Sequence, residues 1–166
     1  MKIREIRTSD ADSFLEVNHQ LDNETSFMLY EPGERKTTVE KQKIMLERVS
    51  KEKTSNIWVL ENDVGKLVGY LALFGQTLQR NSHSAYIVVG IIEDYQGQGL
   101  GKKLFIQMEE WAKEKGIHRL ELTVMKHNYK ALQLYLKMGF EIEGVKRDSL
   151  KVNGEYVDEY YLSKLI

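Results

Sequence analysis

The chain has 166 residues, 42% of them hydrophobic, enough for one globular domain over residues 1–166 with a sizeable core. Its 24 basic and 25 acidic residues leave a formal net charge of −1, so no electrostatic footprint for nucleic acid or an anionic membrane is present. The absence of cysteine excludes disulfides, thiolate metal sites and a cysteinyl intermediate, and His19, His83, His118 and His127 are scattered without metal-ligand spacing, so no metal is expected. The opening MKIREIRTSD lacks the apolar core of a signal peptide and no apolar run approaches a membrane span. A cytoplasmic protein is expected.

In chain order, Lys2 to Arg7 reads as a weakly alternating strand. Ser9-x-x-Asp12 resembles a capping box opening a helix, with Phe14, Leu15, Val17 and Leu21 at helical spacing. Asp22 to Pro32 has no clean period and holds the only proline. Its aromatics, Phe27 and Tyr30, suit a substrate-facing loop, and Met28 and Leu29 suit a loop packed on itself. Thr37-x-x-Glu40 caps a second helix to about Lys51, with Val39, Ile44, Met45 and Val49 inward. Ile57 to Glu61 and Leu67 to Phe74 are strands joined by the turn residues Asn62 to Gly65, hence a hairpin.

Ala85 to Gly116 carries the strongest local signal. Ala85 to Ile92 is almost wholly apolar, as in a strand buried on both faces. Gly90 inside it marks a bulge or a close approach by backbone or ligand. After the polar Glu93-Asp94-Tyr95 comes Gln96-Gly97-Gln98-Gly99-Leu100-Gly101-Lys102, and at once a helix with the stripe Leu100, Leu104, Phe105, Met108, Trp111 and Ala112. Gly116 sits at a C-cap position. Strand, glycine turn and helix N-terminus together form a phosphate cradle, because the first N–H groups of a helix lack internal partners and carry partial positive charge. The Walker pattern fails, since Gln96 replaces its first glycine and Lys103 its magnesium-binding hydroxyl. The dinucleotide pattern fails at Lys102 or Leu104.

Leu120, Leu122 and Val124 alternate with polar residues in a strand that a helical crossover should set parallel to the Ala85 strand. Asn128 then caps a helix with Ala131, Leu134, Tyr135 and Met138 on one face, ended by Gly139. Phe140 to Glu143 begins another strand, and Asn153-Gly154 between Leu150-Lys151-Val152 and Tyr156-Val157 is a hairpin turn.

Gln96-x-x-Gly99-x-Gly101, with Asn128-x-x-Ala131-x-x-Leu134-Tyr135-x-x-x-Gly139-Phe140 downstream, resembles the GNAT superfamily of N-acetyltransferases over roughly Ala85 to Phe140. The closing segment from Asp148 is similar to members near the ribosomal-protein and phosphinothricin acetyltransferase branches. The resemblance implies a mixed α/β fold: a mostly antiparallel sheet with one splayed parallel pair, flanked by helices. It implies acetyl-CoA as donor, its pantetheine arm bonded to backbone groups of Val89, Gly90 and Ile91, and its pyrophosphate held by Gln96 and the N–H groups of Gly97, Gln98, Gly99, Leu100, Gly101 and Lys102. Asn128 would bond the pantetheine arm, and the Tyr135 hydroxyl would protonate the leaving thiolate, although helix periodicity alone reads Tyr135 as a core aromatic.

The implied reaction is direct attack of an amine on the thioester, with a backbone N–H near Ile91 stabilising the developing oxyanion. Freeing a lysine-like amine of its proton at pH 7 costs about 4.6 kcal/mol, against about 1–1.4 kcal/mol for an α-amine. A base therefore matters most for a side-chain amine. Glu93 is the nearest carboxylate in sequence, and Glu31 and Glu34 are weaker candidates. Thr123 stands where the ribosomal alanine branch carries a glutamate, with Glu121 two residues earlier. The acceptor is a peptide N-terminus or a small-molecule amine. The rival reading is a non-enzymatic acyl-CoA-binding or sensory module, which has no need of Tyr135 and Asn128. The C-terminal hairpin either supports a homodimer or closes the sheet.

Overall fold

In the computed structural model, which describes residues Met1–Ile166, seven strands form one sheet in the order β1-β2-β3-β4-β5-β7-β6. In chain order the elements are β1 (Lys2–Glu5), α1 (Ala11–Glu24), α2 (Val39–Lys51), β2 (Asn56–Glu61), β3 (Leu67–Gly75) and β4 (Ser84–Ile91). They continue with α3 (Leu100–Glu114), β5 (Arg119–Met125), α4 (Tyr129–Lys137), β6 (Glu141–Val152) and β7 (Glu155–Leu165). Every neighbouring pair is antiparallel except β4 and β5. The two expected hairpins form, with Gly65, Asn153 and Gly154 at positive φ in their turns.

The two faces of the sheet are covered differently. α1 and α2 lie over β2 and β3, where Phe14 meets Tyr70 edge-on at 4.9 Å. On the opposite face α3 buries Leu104, Phe105, Met108 and Ala112. There Trp111 meets Trp58 edge-on at 5.5 Å, and Phe105 packs with Tyr135 and Phe140. Thirty-one buried residues form a single cluster, reaching from Ala11 on α1 to Leu162 on β7.

Several local expectations shift. β1 stops at Glu5, and a short 3₁₀ turn over Thr8–Asp10 precedes α1. The side-chain cap there is the Asp10 carboxylate, which accepts from the Arg7 N–H at 2.7 Å, not Ser9 and Asp12. Thr38 rather than Thr37 caps α2, accepting from the Lys41 N–H at 3.3 Å. The buried face of α2 is Gln42, Leu46 and Val49, with Met45 packed against the core, while the expected inward residues Val39 and Ile44 are exposed. β4 is fully buried only in part: Val88, Val89 and Ile91 retain exposure, for a reason that the site makes plain.

Candidate active site

β4 and β5 pair over only three residues each, Ser84–Tyr86 against Arg119–Glu121. β4 remains bonded to β3 up to Ile91, and β5 to β7 up to Met125, so the two strands diverge toward their C-terminal ends. The Ile92 N–H donates to the Val68 carbonyl at 3.1 Å, which sets even-numbered residues of β4 toward β3. Val89 and Ile91 therefore turn their backbone groups into the open wedge, with no strand opposite. Gly90 turns its own toward β3, so its expected bond to a pantetheine arm has the wrong direction. Its missing Cβ serves packing instead: a Cβ there would lie 2.6 Å from Leu21 Cδ1 of α1.

At the mouth of the wedge the chain turns through Glu93–Tyr95 into the glycine segment. Gly97 and Gly99 both take φ of +74°, a conformation open chiefly to glycine. Gln96 braces the turn: its Nε2 donates to the Ile91 carbonyl at 2.8 Å and its Oε1 accepts from Lys130 Nζ at 2.9 Å. Gln98 Nε2 donates to the Asp94 carbonyl at 3.2 Å. Both glutamine side chains thus hold the loop in shape. The N-cap of α3 is Gly99, which offers no side chain to the helix, and the first helical bond is donated by Lys103. Six successive N–H groups, from Gly97 to Lys102, have no acceptor within the chain. Helix geometry leaves such groups pointing outward with the positive end of the dipole. Gly101 differs from its neighbours, because a Cβ there would lie 2.9 Å from Leu134 Cδ2; the glycine lets α4 approach α3. Leu100 points its side chain into the core and contributes only backbone to the turn.

Asn128 caps α4, its Oδ1 accepting from the Ala131 N–H at 3.2 Å, which leaves its side-chain amide N–H groups free. Two turns further on, Tyr135 is 7% exposed, with its ring between Phe105 and Phe140. Its hydroxyl makes no hydrogen bond within the chain, yet the fully buried unpaired polar atoms are Gln42 Nε2 and Asn81 Oδ1 alone. The Tyr135 oxygen therefore opens onto accessible space. Burial, and secondarily the nearby Tyr86, push its pKa well above the usual tyrosine value. Tyr86 lies on the opposite sheet face, with Gly90.

On that opposite face, Tyr86 and Thr123 share a 2.8 Å hydroxyl–hydroxyl bond beside the last β4–β5 pair. Behind it Glu121 accepts from Arg119 Nε and the Tyr161 hydroxyl, both at 2.6 Å. Burial and Glu121 push the Tyr161 pKa up to about 12. Arg119 continues to Glu143, which also accepts from Ser163 at 2.6 Å and has its pKa pulled down to about 2 by these partners. Sequence reasoning missed Tyr86, Tyr161 and Arg119. The signal for Arg119 and Tyr161 was the run of polar residues on one face of β5 and β7, whereas Tyr86 sits in the largely apolar β4.

Glu93 is exposed and lies beyond the end of β4, on the order of 13 Å along the chain from Val89 at about 3.3 Å per residue. Its backbone N–H donates to Glu24 Oε2 at 2.8 Å, and its carboxylate has no partner. The fold holds it at the mouth, away from the vertex, so the expected base role is not supported by position. Glu31 and Glu34 lie farther out, bonded to each other through the Glu31 N–H at 3.0 Å. The loop after α1 borders the bare sheet face: Phe27 packs on His127 with centroids 5.2 Å apart, and Met28 faces the core. Leu29 is exposed. The loop is tied down by Arg35, which donates twice to the buried Asp22 at 2.6 and 3.0 Å and stacks on Tyr30. No helix is long and apolar enough to cross a membrane.

A splayed parallel pair, a cradle of free N–H groups at one end and an unpaired tyrosine hydroxyl between them define an acyl-carrier wedge. The model of the Acetyltransferase (GNAT) family matches residues 15–140, and the chain belongs to that family. It is 35% identical over 105 residues to the L-amino acid N-acetyltransferase AaaT of Escherichia coli, a match covering 61% of this chain and 63% of the relative, just under two thirds of the latter's length. A solved acetyltransferase of the GNAT family from Streptococcus pneumoniae superimposes with a TM-score of 0.95 at 29% identity, covering 99% of this chain and 98% of the other. A putative acetyltransferase, YncA, from Salmonella typhimurium, solved with its cofactor acetyl-CoA, shares the fold at a TM-score of 0.87 and 18% identity, over 99% and 93% of the two chains.

Proposed function

We propose that this protein transfers an acetyl group from acetyl-CoA directly to a primary amine. The observation that carries the proposal is the run of six unpaired N–H groups from Gly97 to Lys102, at the mouth of a wedge whose inner edge offers the Val89 and Ile91 backbone. The run fits a pyrophosphate and the wedge fits an extended arm added to β4 as a strand. Bound acetyl-CoA supplies the acetyl group as an activated thioester.

The chain's own residues divide the remaining work. Gly97, Gln98, Gly99, Leu100, Gly101 and Lys102 donate N–H groups to the diphosphate, and Gln96 acts through the loop that it braces. The Asn128 side-chain N–H groups bond the arm. An N–H of Val89 or Ile91 stabilises negative charge that grows on the carbonyl oxygen. Tyr135 gives its proton to the departing sulfur. Burial keeps that hydroxyl protonated at neutral pH, so its proton is in place as negative charge grows on the departing sulfur.

The cytoplasm is the proposed working place, and acetyl-CoA and the amine are the proposed partners. The net charge of −1 supports a reading without nucleic acid. The long β6–β7 hairpin supports a homodimer, which sedimentation would measure. The test of the function is thiol release on a broad amine panel combined with calorimetry of acetyl-CoA binding. Turnover with micromolar-range binding supports an enzyme. Tight binding with no turnover on any amine supports the sensory module, and no binding refutes both.

A further inference from the structure

A cation from another helix reaches the glycine turn. Lys130, in the first turn of α4, donates from Nζ to Gln96 Oε1 at 2.9 Å, and Gln96 Nε2 donates onward to the Ile91 carbonyl at 2.8 Å. These two bonds join the end of the β4 arm to the helix that follows β5, across the mouth of the wedge. Lys130 is exposed, and its ammonium bonds this neutral amide rather than a carboxylate. The segment that leads into the turn carries charge of the opposite sign. Glu93 and Asp94 stand exposed there, and the Glu24 carboxylate accepts from the Glu93 N–H. The free N–H groups from Gly97 to Lys102 offer the positive end of one helix dipole, worth about half an elementary charge. A doubly ionised diphosphate therefore meets too little positive charge from the backbone alone. Lys102 and Lys103 are exposed on the first turn of α3, and neither bonds Gln96.

We infer that Lys130 is the counter-ion of the diphosphate: it rests on Gln96 in the free protein and moves to the phosphate oxygens when the donor enters, so that this lysine selects a phosphorylated acyl carrier over an unphosphorylated pantetheine thioester. On the acetyl-CoA reading above, on which this rests, a side-chain cation joins a cradle of backbone groups. The exchange is favourable because a bond between a charge and a neutral amide gives way to bonds between opposite charges, which are shorter and stronger. The flexible four-carbon stem of lysine permits the move. Gln96 keeps its bond to Ile91 throughout, so the turn holds its shape. Position decides which phosphate is meant. Gln96 bonds the end of β4, where the arm runs, and immediately precedes Gly97, where the cradle begins. Lys130 thus stands between arm and cradle, the place of the diphosphate, whereas the ribose phosphate lies at the far end of the carrier.

The experiment measures the affinity of three carriers by calorimetry: acetyl-CoA, its dephospho form without the ribose phosphate, and S-acetylpantetheine, which has no phosphate. The proteins are wild type, Lys130→Met, Lys130→Arg and Lys103→Met, with melting temperature as a control. Lys130→Met should bind acetyl-CoA and the dephospho form about 10- to 100-fold more weakly, by similar factors, and S-acetylpantetheine as wild type does. The loss should shrink at high salt, where the charge is screened. Lys130→Arg should keep most of the affinity. Lys103→Met removes the same charge from the first turn of α3 without touching Gln96, and should lose less than about threefold. A loss confined to acetyl-CoA assigns Lys130 to the ribose phosphate and overturns the inference. An equal loss on all three carriers overturns it too, because it makes the lysine a brace of the turn. So does a Lys103→Met loss as large as that of Lys130→Met, or unchanged affinity in Lys130→Met. In each of these cases wild type still binds acetyl-CoA, and the donor assignment stands. Wild type that binds no phosphorylated carrier sinks both.

Discussion

Replacing Tyr135 with phenylalanine separates chemistry from packing cleanly, because the hydroxyl is unpaired. The ring stays between Phe105 and Phe140, and no intramolecular hydrogen bond is lost. Deleting a bonded buried hydroxyl would cost about 1–3 kcal/mol; deleting this one should leave stability within about 1 kcal/mol of wild type, or raise it. The catalytic effect should be far larger. General acid catalysis contributes about 10²–10⁴-fold, or roughly 3–5 kcal/mol of barrier. The assay is kcat by thiol release at saturating amine, with acetyl-CoA affinity by calorimetry and melting temperature as controls. The expected result is a kcat lower by about two to four orders of magnitude with both controls unchanged. Unchanged turnover would refute the general-acid role and leave water to protonate the sulfur. A loss of melting temperature in step with activity would mean that the hydroxyl is structural.

Other perturbations test separate parts of the site. Gly99→Val forces a branched residue into φ of +74° and projects it into open space before the cradle, so acetyl-CoA affinity should fall by much more than stability; wild-type-like affinity by calorimetry would remove the cradle assignment. Gly101→Val should act the other way, pressing Leu134 and costing about 1–3 kcal/mol in denaturant unfolding, because its Cβ meets α4 and not the ligand space. Arg35→Met leaves the buried Asp22 without its cation and should cost about 3–5 kcal/mol; a variant as stable as wild type would mean that the loop clasp is solvent-screened. Glu143 has its pKa held at about 2, below its ordinary value of 4.5, so its contribution is complete above pH 4.5 and fades as pH falls toward 2. Glu143→Gln should therefore show a small melting deficit, within about 1 kcal/mol for so exposed a pair, that is present at pH 7 and shrinks below pH 4.5; a deficit constant down to pH 3 would contradict it.

The elements that position the site were legible where local chemistry decides conformation. Three closely spaced glycines before an amphipathic stripe announced a turn and a helix, and Gly97 and Gly99 do take positive φ. Asn153-Gly154 fixed its hairpin, and the helical crossover fixed the parallel direction of β5. What the sequence did not reveal depends on contacts between elements far apart in the chain. Gly101 reads like its neighbours yet answers to Leu134 on α4, and Gly90 answers to Leu21 on α1. The exposure of Val88, Val89 and Ile91 in an apolar strand follows from the divergence of β5, which no period in β4 records. Glu93 follows β4 closely in sequence but stands at the mouth of the wedge, because an extended strand carries each residue farther from the vertex. The hydroxyl bond between Tyr86 and Thr123 likewise joins residues 37 apart that no local pattern pairs.

The claim on which the rest depends is that the free N–H groups from Gly97 to Lys102 receive the diphosphate while β4 receives the arm. The direct measurement is a titration of the ¹⁵N-labelled protein with acetyl-CoA, followed by amide chemical shifts. The largest saturable changes should fall on Gly97, Gln98, Gly99, Leu100, Gly101 and Lys102, with a second group at Val89 and Ile91. Saturable changes centred elsewhere, with the amides of the turn unmoved, would contradict the assignment.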